Sequence, residues 1–371
     1  MPDAYAARRQ LLAAKVAEFG ADAALVTRLV NVRYLTGLAS SNAALLVTAA
    51  GAGAAAAPAE GLAVLATDSR YALMASTVAR GVELRTGRDV AGVLTSLAAA
   101  RGLRRVLFEA HVMTVEQHTV LADDNADVEF APLGRAVEEL RVVKDEEEIA
   151  AIATACRLSC EAFDGVLPSI RPGVTERQLA IALERRMVDL GADEPAFATI
   201  VATGPNGAIP HHVPGGREVA VGDLVTMDLG ARYDGYHADM TRTVAVGETA
   251  GWQRDIYQLV AAAQQAGIAA ARPGARVADV DAAARDLIKA GGHGGHFGHG
   301  LGHGVGLEIH EAPLLHHDGT GTLRDRVLIT VEPGIYLPGE GGVRIEDTLV
   351  VRAGAGPGEL LTTITRELLV L

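Results

Sequence analysis

The chain opens on a helical repeat in which Leu11, Leu12, Val16 and Phe19 recur around polar positions. Short apolar runs at Ala23–Val26, Ala43–Val47 and Leu62–Ala66 then read as strands, and the helical stretches Ala72–Arg80 and Val90–Arg101 follow. An alanine- and glycine-rich run at 49–59 falls between two of these strands and reads as a flexible hairpin loop. A strand at Arg105–Glu109 and a helix near Val115–Ala122 continue the alternation expected of an α/β domain. The texture changes at Leu140–Glu148, where Lys144-Asp145-Glu146-Glu147-Glu148 precedes an apolar-periodic helix running to about Val166. Asp145 is placed to cap that helix, and the glutamates suit its positive end. We therefore divide the chain into domains 1–140 and 141–371.

Beyond that boundary, Pro172-Gly173 marks a turn, and Thr175 with Glu176 opens a helix to about Leu190. A strand pair is expected within 223–246, helices at about 250–271 and 278–290, and strands at 326–332 and 342–352.

Composition narrows the function. Hydrophobic residues make up 49% and charged residues 21%, an ordinary globular balance. The formal charge of −13 has the wrong sign for holding phosphate backbones, so nucleic acid is not an expected partner. The first twenty residues carry Asp3, Arg8, Arg9, Lys15 and Glu18 and lack the apolar core of a secretory signal. No uncharged apolar stretch has the length to cross a bilayer, so a cytoplasmic protein without membrane contact is expected. Cys156 and Cys160 lie four apart on one helical face and read as small buried hydrophobes.

The segment Leu224–Val246 contains Asp234-Gly235, a strong signal for a two-residue hairpin turn. Tyr233 then faces Tyr236, Asp228 faces Thr241, and Asp239 faces Gly230. Asp228 and Asp239 become diagonal neighbours on one face, roughly 7–8 Å apart at the backbone. Either they decorate a solvent face, as acidic side chains usually do, or they face inward and share a cation or a proton. Downstream, the apolar run Leu328–Val331 ends in Glu332, which Pro333-Gly334 follows, and a glutamate at the end of a buried strand needs a partner or a metal. Strand Gly342–Val351 carries Arg344, Glu346 and Thr348 on one face, with Arg344 a ready partner for Glu346.

Of the 12 histidines, seven fall between 293 and 317. A plain histidine/glycine tract would not contain Phe297, Leu301, Val305, Leu307 and Ile309. Those residues point to a buried, tightly turned segment in which glycine permits close backbone approach. His299 and His303 have the spacing of a zincin helix, yet no glutamate follows the first and the glycines disfavour a helix.

Taken together, Asp228 and Asp239 eleven apart, GHGVGLEIHE at 302–311, VEPGIY at 331–336 and GVRIED at 342–347 resemble the metal-binding signatures of the pita-bread metallopeptidases. That family includes Xaa-Pro dipeptidase (prolidase), aminopeptidase P and methionine aminopeptidase. NVRYLTG at 31–37 and RVVKDEEEI at 141–149 resemble the amino-terminal domain and the catalytic-domain entry of prolidase, aminopeptidase P and creatinase. The simplest methionine aminopeptidases lack the first domain, and creatinase lacks the full metal set.

The resemblance implies an α/β (α+β) protein with a creatinase/prolidase-like first domain and a pita-bread catalytic domain. It implies two divalent ions held by Asp228, Asp239, His303, Glu332 and Glu346, with Asp239 and Glu346 bridging. The oxygen-rich set suits Mn²⁺ or Co²⁺, with Fe²⁺ or Zn²⁺ as alternatives. Ions about 3.5–4 Å apart in such a site hold a bridging hydroxide as nucleophile and polarise the scissile carbonyl. His211 and His310 match histidines that bind substrate and stabilise the oxyanion, and His299 matches a substrate-side histidine of aminopeptidase P. Arg344 fits two roles, orienting Glu346 or meeting a substrate carboxylate, besides plain structural pairing. His212, His293, His296, His316 and His317 read as satisfied loop histidines.

The implied activity is hydrolysis of the bond between an amino-terminal residue and proline, by a dipeptidase or an aminopeptidase, in a homodimer acting on proline-containing peptides. A methionine-type or other aminopeptidase of the same fold is the alternative within the family. A non-catalytic binding domain of this fold is the alternative outside catalysis, and it predicts lost ligands, whereas all five are present.

Overall fold

In the computed structural model, residues 4–49, 63–354 and 358–371 are described. Positions 50–59 of the expected hairpin loop, and Leu62 of the expected strand, lie outside the described residues. The chain divides into two units, Met1–Arg141 and Val142–Leu371.

The first unit is a six-stranded mixed sheet in the order Glu83–Thr86, Ala63–Thr67, Ala43–Thr48, Ala23–Val26, Arg105–Phe108, Glu129–Pro132. Its four inner strands are buried almost throughout, while the two edge strands are partly or fully exposed along their length. Hydrophobic patterning therefore finds the inner four and passes over the edges. Leu25, Leu46, Val64 and Val106 on the sheet meet Leu94 and Ala98 of the helix Val90–Ala100 in one core. The helix Leu29–Thr36, also unexpected from the pattern, holds most of the NVRYLTG motif and stops at Gly37, whose φ of 79° is a left-handed helix end.

The second unit has two apolar cores. In one, the helices Glu146–Val166 and Glu176–Asp189 cover the three-stranded sheet Ile200–Thr203, Leu224–Leu229, Met240–Ala245. Both helices start on reciprocal caps. Asp145 accepts from the amides of Glu147 and Glu148 while Glu148 accepts from the Asp145 amide, and Thr175 with Gln178 repeats the arrangement. In the other core, the helices Gly251–Ala270 and Val277–Ala290 cover a sheet of five strands, Glu311–Leu315, Gly302–Gly304, Leu328–Val331, Asp347–Val350 and Glu359–Leu360.

The Asp234-Gly235 turn has positive φ at both residues, and the ladder runs in the expected register, with Tyr233 opposite Tyr236 and Thr241 opposite Asp228. Pairing lapses at Gly230, where a Cβ would lie 1.8 Å from the Ala238 carbonyl oxygen, and resumes without a slip. One expectation fails. The single strand 342–352 is two strands: Gly341–Arg344 pairs with Gly334–Leu337, whereas Asp347–Val350 pairs with Leu328–Val331. Between them the main chain of Glu346 turns to the hairpin, donating its amide to the Thr241 carbonyl. The hairpin's three-stranded sheet and the chain entering the five-stranded sheet are thus joined at a ligand candidate.

Candidate metal centre

Four of the predicted ligands sit at or near a strand end or break, and His303 sits at a register shift within its strand. Asp228 is near the end of Leu224–Leu229, Asp239 just precedes Met240–Ala245, His303 is central in Gly302–Gly304, Glu332 follows Leu328–Val331, and Glu346 fills the break described above. Donor atoms of Asp239, His303 and Glu346 lie within 4.8 Å of one another. His303 Nε2 is 3.5 Å from Asp239 Oδ2 and 3.4 Å from Glu332 Oε1. Asp228 joins through Arg344, whose Nη2 donates to its Oδ2 at 2.8 Å.

His303 is oriented by its neighbours. Nδ1 is 2.9 Å from the Gly304 carbonyl oxygen, which can only accept, so Nδ1 donates there. Nε2 faces the carboxylates, the orientation a metal-ligating imidazole needs.

The acids are under strain as a set. Burial raises the Asp239 carboxyl well above the usual carboxylate range, and the charges of Asp228 and Glu332 add to the shift. Glu346 is raised likewise, by burial and then by Asp239, Glu332 and Asp228. Glu332 is raised by burial, against the opposing pull of His303 and Arg344. Two oxygens, Asp228 Oδ1 and Glu346 Oε1, are buried without any hydrogen-bond partner. Buried acceptors without donors are costly, and a cation satisfies them and removes the repulsion together. The donor set therefore fits divalent metal.

A cavity of about 290 Å³ opens on this cluster and is lined by Asp228, His303, Glu332, Arg344, Tyr336, Pro210 and the histidines 211, 299, 310 and 316, among others. His211 and His310 are exposed to it. The His310 ring packs edge-on against His303 with centroids 4.4 Å apart. Burial, with His303 and His211 nearby, lowers its pKa, so it is neutral at neutral pH.

His299 lines the same cavity. Burial, and next the Arg344 charge, push its pKa down to about 4. Its Nδ1 donates to the Gly300 carbonyl at 2.8 Å, so Nε2 accepts from the Tyr336 hydroxyl at 2.9 Å. Both ring nitrogens are engaged within the protein.

Arg344 makes a structural pair, with Asp228 as its partner and Glu346 one hydrogen-bonded residue further on. It is 4% exposed, and its three nitrogens go to Asp228, to Thr241 Oγ1 at 3.0 Å, and to the Tyr336 hydroxyl at 3.0 Å. It reaches Glu346 only through Thr241, whose hydroxyl donates to Glu346 Oε2 at 2.7 Å. Thr241 and Tyr336 are the site residues that sequence reasoning passed over. The signals were present, because Thr241 is the register partner of Asp228 and Tyr336 closes the VEPGIY motif.

The remaining histidines divide. His293 and His296 contact each other, and His317 meets Asp318 at the surface. His316 lines the cavity, beyond its expected bystander place. His212 is bound to Glu176 at 2.8 Å.

Comparison with known proteins gives two family matches. Residues 150–353 match metallopeptidase family M24, and residues 8–143 match the creatinase/prolidase N-terminal domain. A Xaa-Pro dipeptidase of Pyrococcus furiosus is 43% identical over 241 residues, 65% of this chain and 69% of that one. An uncharacterized peptidase of Bacillus subtilis is 37% identical over 355 residues, 95% of this chain and 97% of that one. Among solved structures, a Xaa-Pro dipeptidase from Bacillus anthracis superimposes with a TM-score of 0.92 at 35% identity, covering 99% of this chain and 100% of that one. An X-Pro aminopeptidase from Thermotoga maritima reaches a TM-score of 0.86 at 33% identity, covering 95% and 98%.

Proposed function

The chain belongs to metallopeptidase family M24, and from that premise we propose that it hydrolyses the bond between an amino-terminal residue and proline. The observation that carries the reading is the convergence of five oxygen- and nitrogen-donor side chains, two of them with orphaned buried oxygens and three of them, Asp228, His303 and Glu332, lining a histidine-rich cavity. Asp228 and Asp239 would hold one ion and His303 and Glu332 the other, with Asp239 and Glu346 shared. Mn²⁺ or Co²⁺ suits this set best, since four of the five ligands are hard carboxylates. When bound, divalent ions supply Lewis-acid activation of water and of the scissile carbonyl.

The chain's own residues do the rest. Thr241 and Arg344 hold Glu346 and Asp228 in place, so Arg344 is a positioning residue. The Gly304 carbonyl holds His303 Nδ1, so that Nε2 is turned toward the ion it would ligate. His211 and the neutral His310 face the cavity, where an imidazole N–H can donate to the oxygen that gains charge in the transition state. His299 acts through Tyr336, locking its hydroxyl between Nε2 and Arg344. The proline preference rests on the relatives named for Xaa-Pro substrates. A tertiary amide without N–H needs recognition of its ring.

The same reading assigns 1–140 as the creatinase-like domain and 141–371 as the catalytic domain, in a cytoplasmic homodimer. No helix among the described residues is long and apolar enough to cross a membrane. Light scattering on the eluting protein tests the dimer.

The deciding experiment loads the protein with Mn²⁺ or Co²⁺, measures metal by plasma mass spectrometry with Asp239→Ala as control, and assays Ala-Pro, Ala-Pro-Ala and Met-Ala-Ser. Two metals per chain and cleavage before proline are expected. Hydrolysis of Ala-Pro alone identifies a dipeptidase, and hydrolysis of Ala-Pro-Ala an aminopeptidase. Cleavage of Met-Ala-Ser alone overturns the proline assignment, and equal metal in the Asp239→Ala variant overturns the ligand set.

A further inference from the structure

Glu176 is the first residue of its helix and is 0% exposed, yet it lies outside the ligand cluster. Five donors converge on its carboxylate, and all come from residues 203–215. Oε1 accepts from the Thr203 amide at 2.9 Å, the Thr203 hydroxyl at 3.0 Å and Asn206 Nδ2 at 2.8 Å. Oε2 accepts from His212 Nε2 at 2.8 Å and the Gly215 amide at 3.0 Å. Burial alone would raise the Glu176 pKa, but these donors hold it below the usual carboxylate range, so the group stays ionised.

The segment so gripped carries Pro210 and His211, which line the cavity. Its other side is equally fixed. Gly207 lies against Gly342 main chain to main chain, and Arg344 Nη1 reaches the Pro210 carbonyl at 3.4 Å. His211 is exposed between these anchors, and the side chain of its sequence neighbour His212 turns inward to the carboxylate.

We propose that Glu176 and His212 form a positioning pair that fixes segment 203–215 and thereby sets where the His211 imidazole meets the substrate. The proposal rests on the reading that His211 contacts substrate. Among the described residues the hydrogen-bond partners of the pair include no predicted metal ligand, so the pair acts on placement of the substrate-side wall and leaves metal loading alone. A misplacement of about 1 Å at such a wall can cost about 100-fold in rate.

The test is a double-mutant cycle on the metal-loaded full chain, reading kcat/KM on Ala-Pro and Ala-Pro-Ala, with metal content and unfolding midpoint measured alongside. His212→Ala is expected to lower kcat/KM about 10- to 100-fold with metal content unchanged. His212→Gln keeps an N–H near the Nε2 position and is expected to recover most of the loss. In a His211→Ala background, His212→Ala is expected to add nothing, because it acts through His211. Independent, multiplying effects overturn the positioning pair, as does a His212→Gln variant as impaired as His212→Ala, or metal lost along with His212. A His211→Ala enzyme as active as the parent overturns the contact between His211 and substrate, and this proposal with it, while leaving the metal reading to its own test.

Discussion

The hydroxyl of Thr241 offers the sharpest test of how the site is held. Thr241 is 0% exposed, accepts from Arg344 Nε at 3.0 Å and donates to Glu346 Oε2 at 2.7 Å, so one oxygen serves two charged groups. Thr241→Val puts a methyl of similar shape in its place. A hydrogen bond to a charged group is worth about 1.5–3 kcal/mol. The Arg344 share falls on stability, because the guanidinium is always charged, and the extra buried methyl offsets about 0.8 kcal/mol of it. A net loss of about 1–2 kcal/mol is expected for the metal-free protein.

The Glu346 share falls on metal affinity, because the loss removes the donor that helps this raised carboxyl ionise. At about 1.4 kcal/mol per factor of ten, Mn²⁺ should bind about 10- to 100-fold more weakly. Thr241→Ser keeps the hydroxyl and gives up about 0.8 kcal/mol of burial, so its metal affinity should stay within about twofold of the parent. Competition with a chromogenic chelator reads the affinity. Guanidinium unfolding reads stability through Trp252, the single tryptophan, which packs on the second core of the catalytic unit. Parent-like Mn²⁺ affinity in Thr241→Val, or equal weakening in Thr241→Ser, would refute the reasoning.

Other perturbations follow from the same geometry. The depressed His299 pKa of about 4, against its ordinary 6.5, means the unfolded chain takes up a proton that the folded one refuses. Stability from this group is full above pH 6.5 and is lost as pH falls toward 4. His299→Gln should therefore flatten the midpoint in that window, and equal slopes would count against the assignment. Asp347 pairs with Arg242 at 2.6 Å, both 2% exposed or less, and takes a second bond from Gln264 at 2.7 Å. Breaking one side of a buried pair costs about 3–5 kcal/mol, so Asp347→Asn should unfold at clearly lower denaturant, and a parent-like midpoint would dismiss the pair. Cys156 and Cys160 are free and buried, and burial raises the Cys156 thiol, so Ellman's reagent should label neither in the native protein and both in guanidinium. Rapid native labelling would contradict their burial.

Much of the candidate site was legible because its geometry is local. Asp234-Gly235 fixes a turn, the turn fixes the register, and the register puts Asp228 and Asp239 on one face without any long-range information. The edge strands Glu83–Thr86 and Glu129–Pro132 were not legible, because an exposed edge has no apolar alternation to read. The break at Ile345-Glu346 was hidden for another reason. Side-chain alternation runs straight through GVRIEDTLV, while the change of main-chain partner leaves no mark on composition. Arg344 shows the limit for charged groups, since nothing in the sequence says that Asp228, rather than the nearby Glu346, receives its guanidinium. Glu176 is the extreme case: its five donors are set by where a distant loop folds back, and only its place after the Thr175 cap could be read.

The contact between Gly207 and Gly342 carries a consequence for how the cavity could change. A Cβ on Gly342 would lie 2.2 Å from the Gly207 carbonyl oxygen, and one on Gly207 would lie 3.1 Å from the Gly342 amide nitrogen. No side chain stands between the loop bearing His211 and the strand bearing Arg344, so there is nothing there to repack. Core contacts elsewhere can absorb a methyl group by rotamer shifts, but here the spacing is the thickness of two peptide planes. The spacing between the loop and the strand behaves as a fixed gauge here. Room for bulkier substrates is then to be made by side chains that line the cavity, such as Leu314 and His316, and not by a change in this spacing.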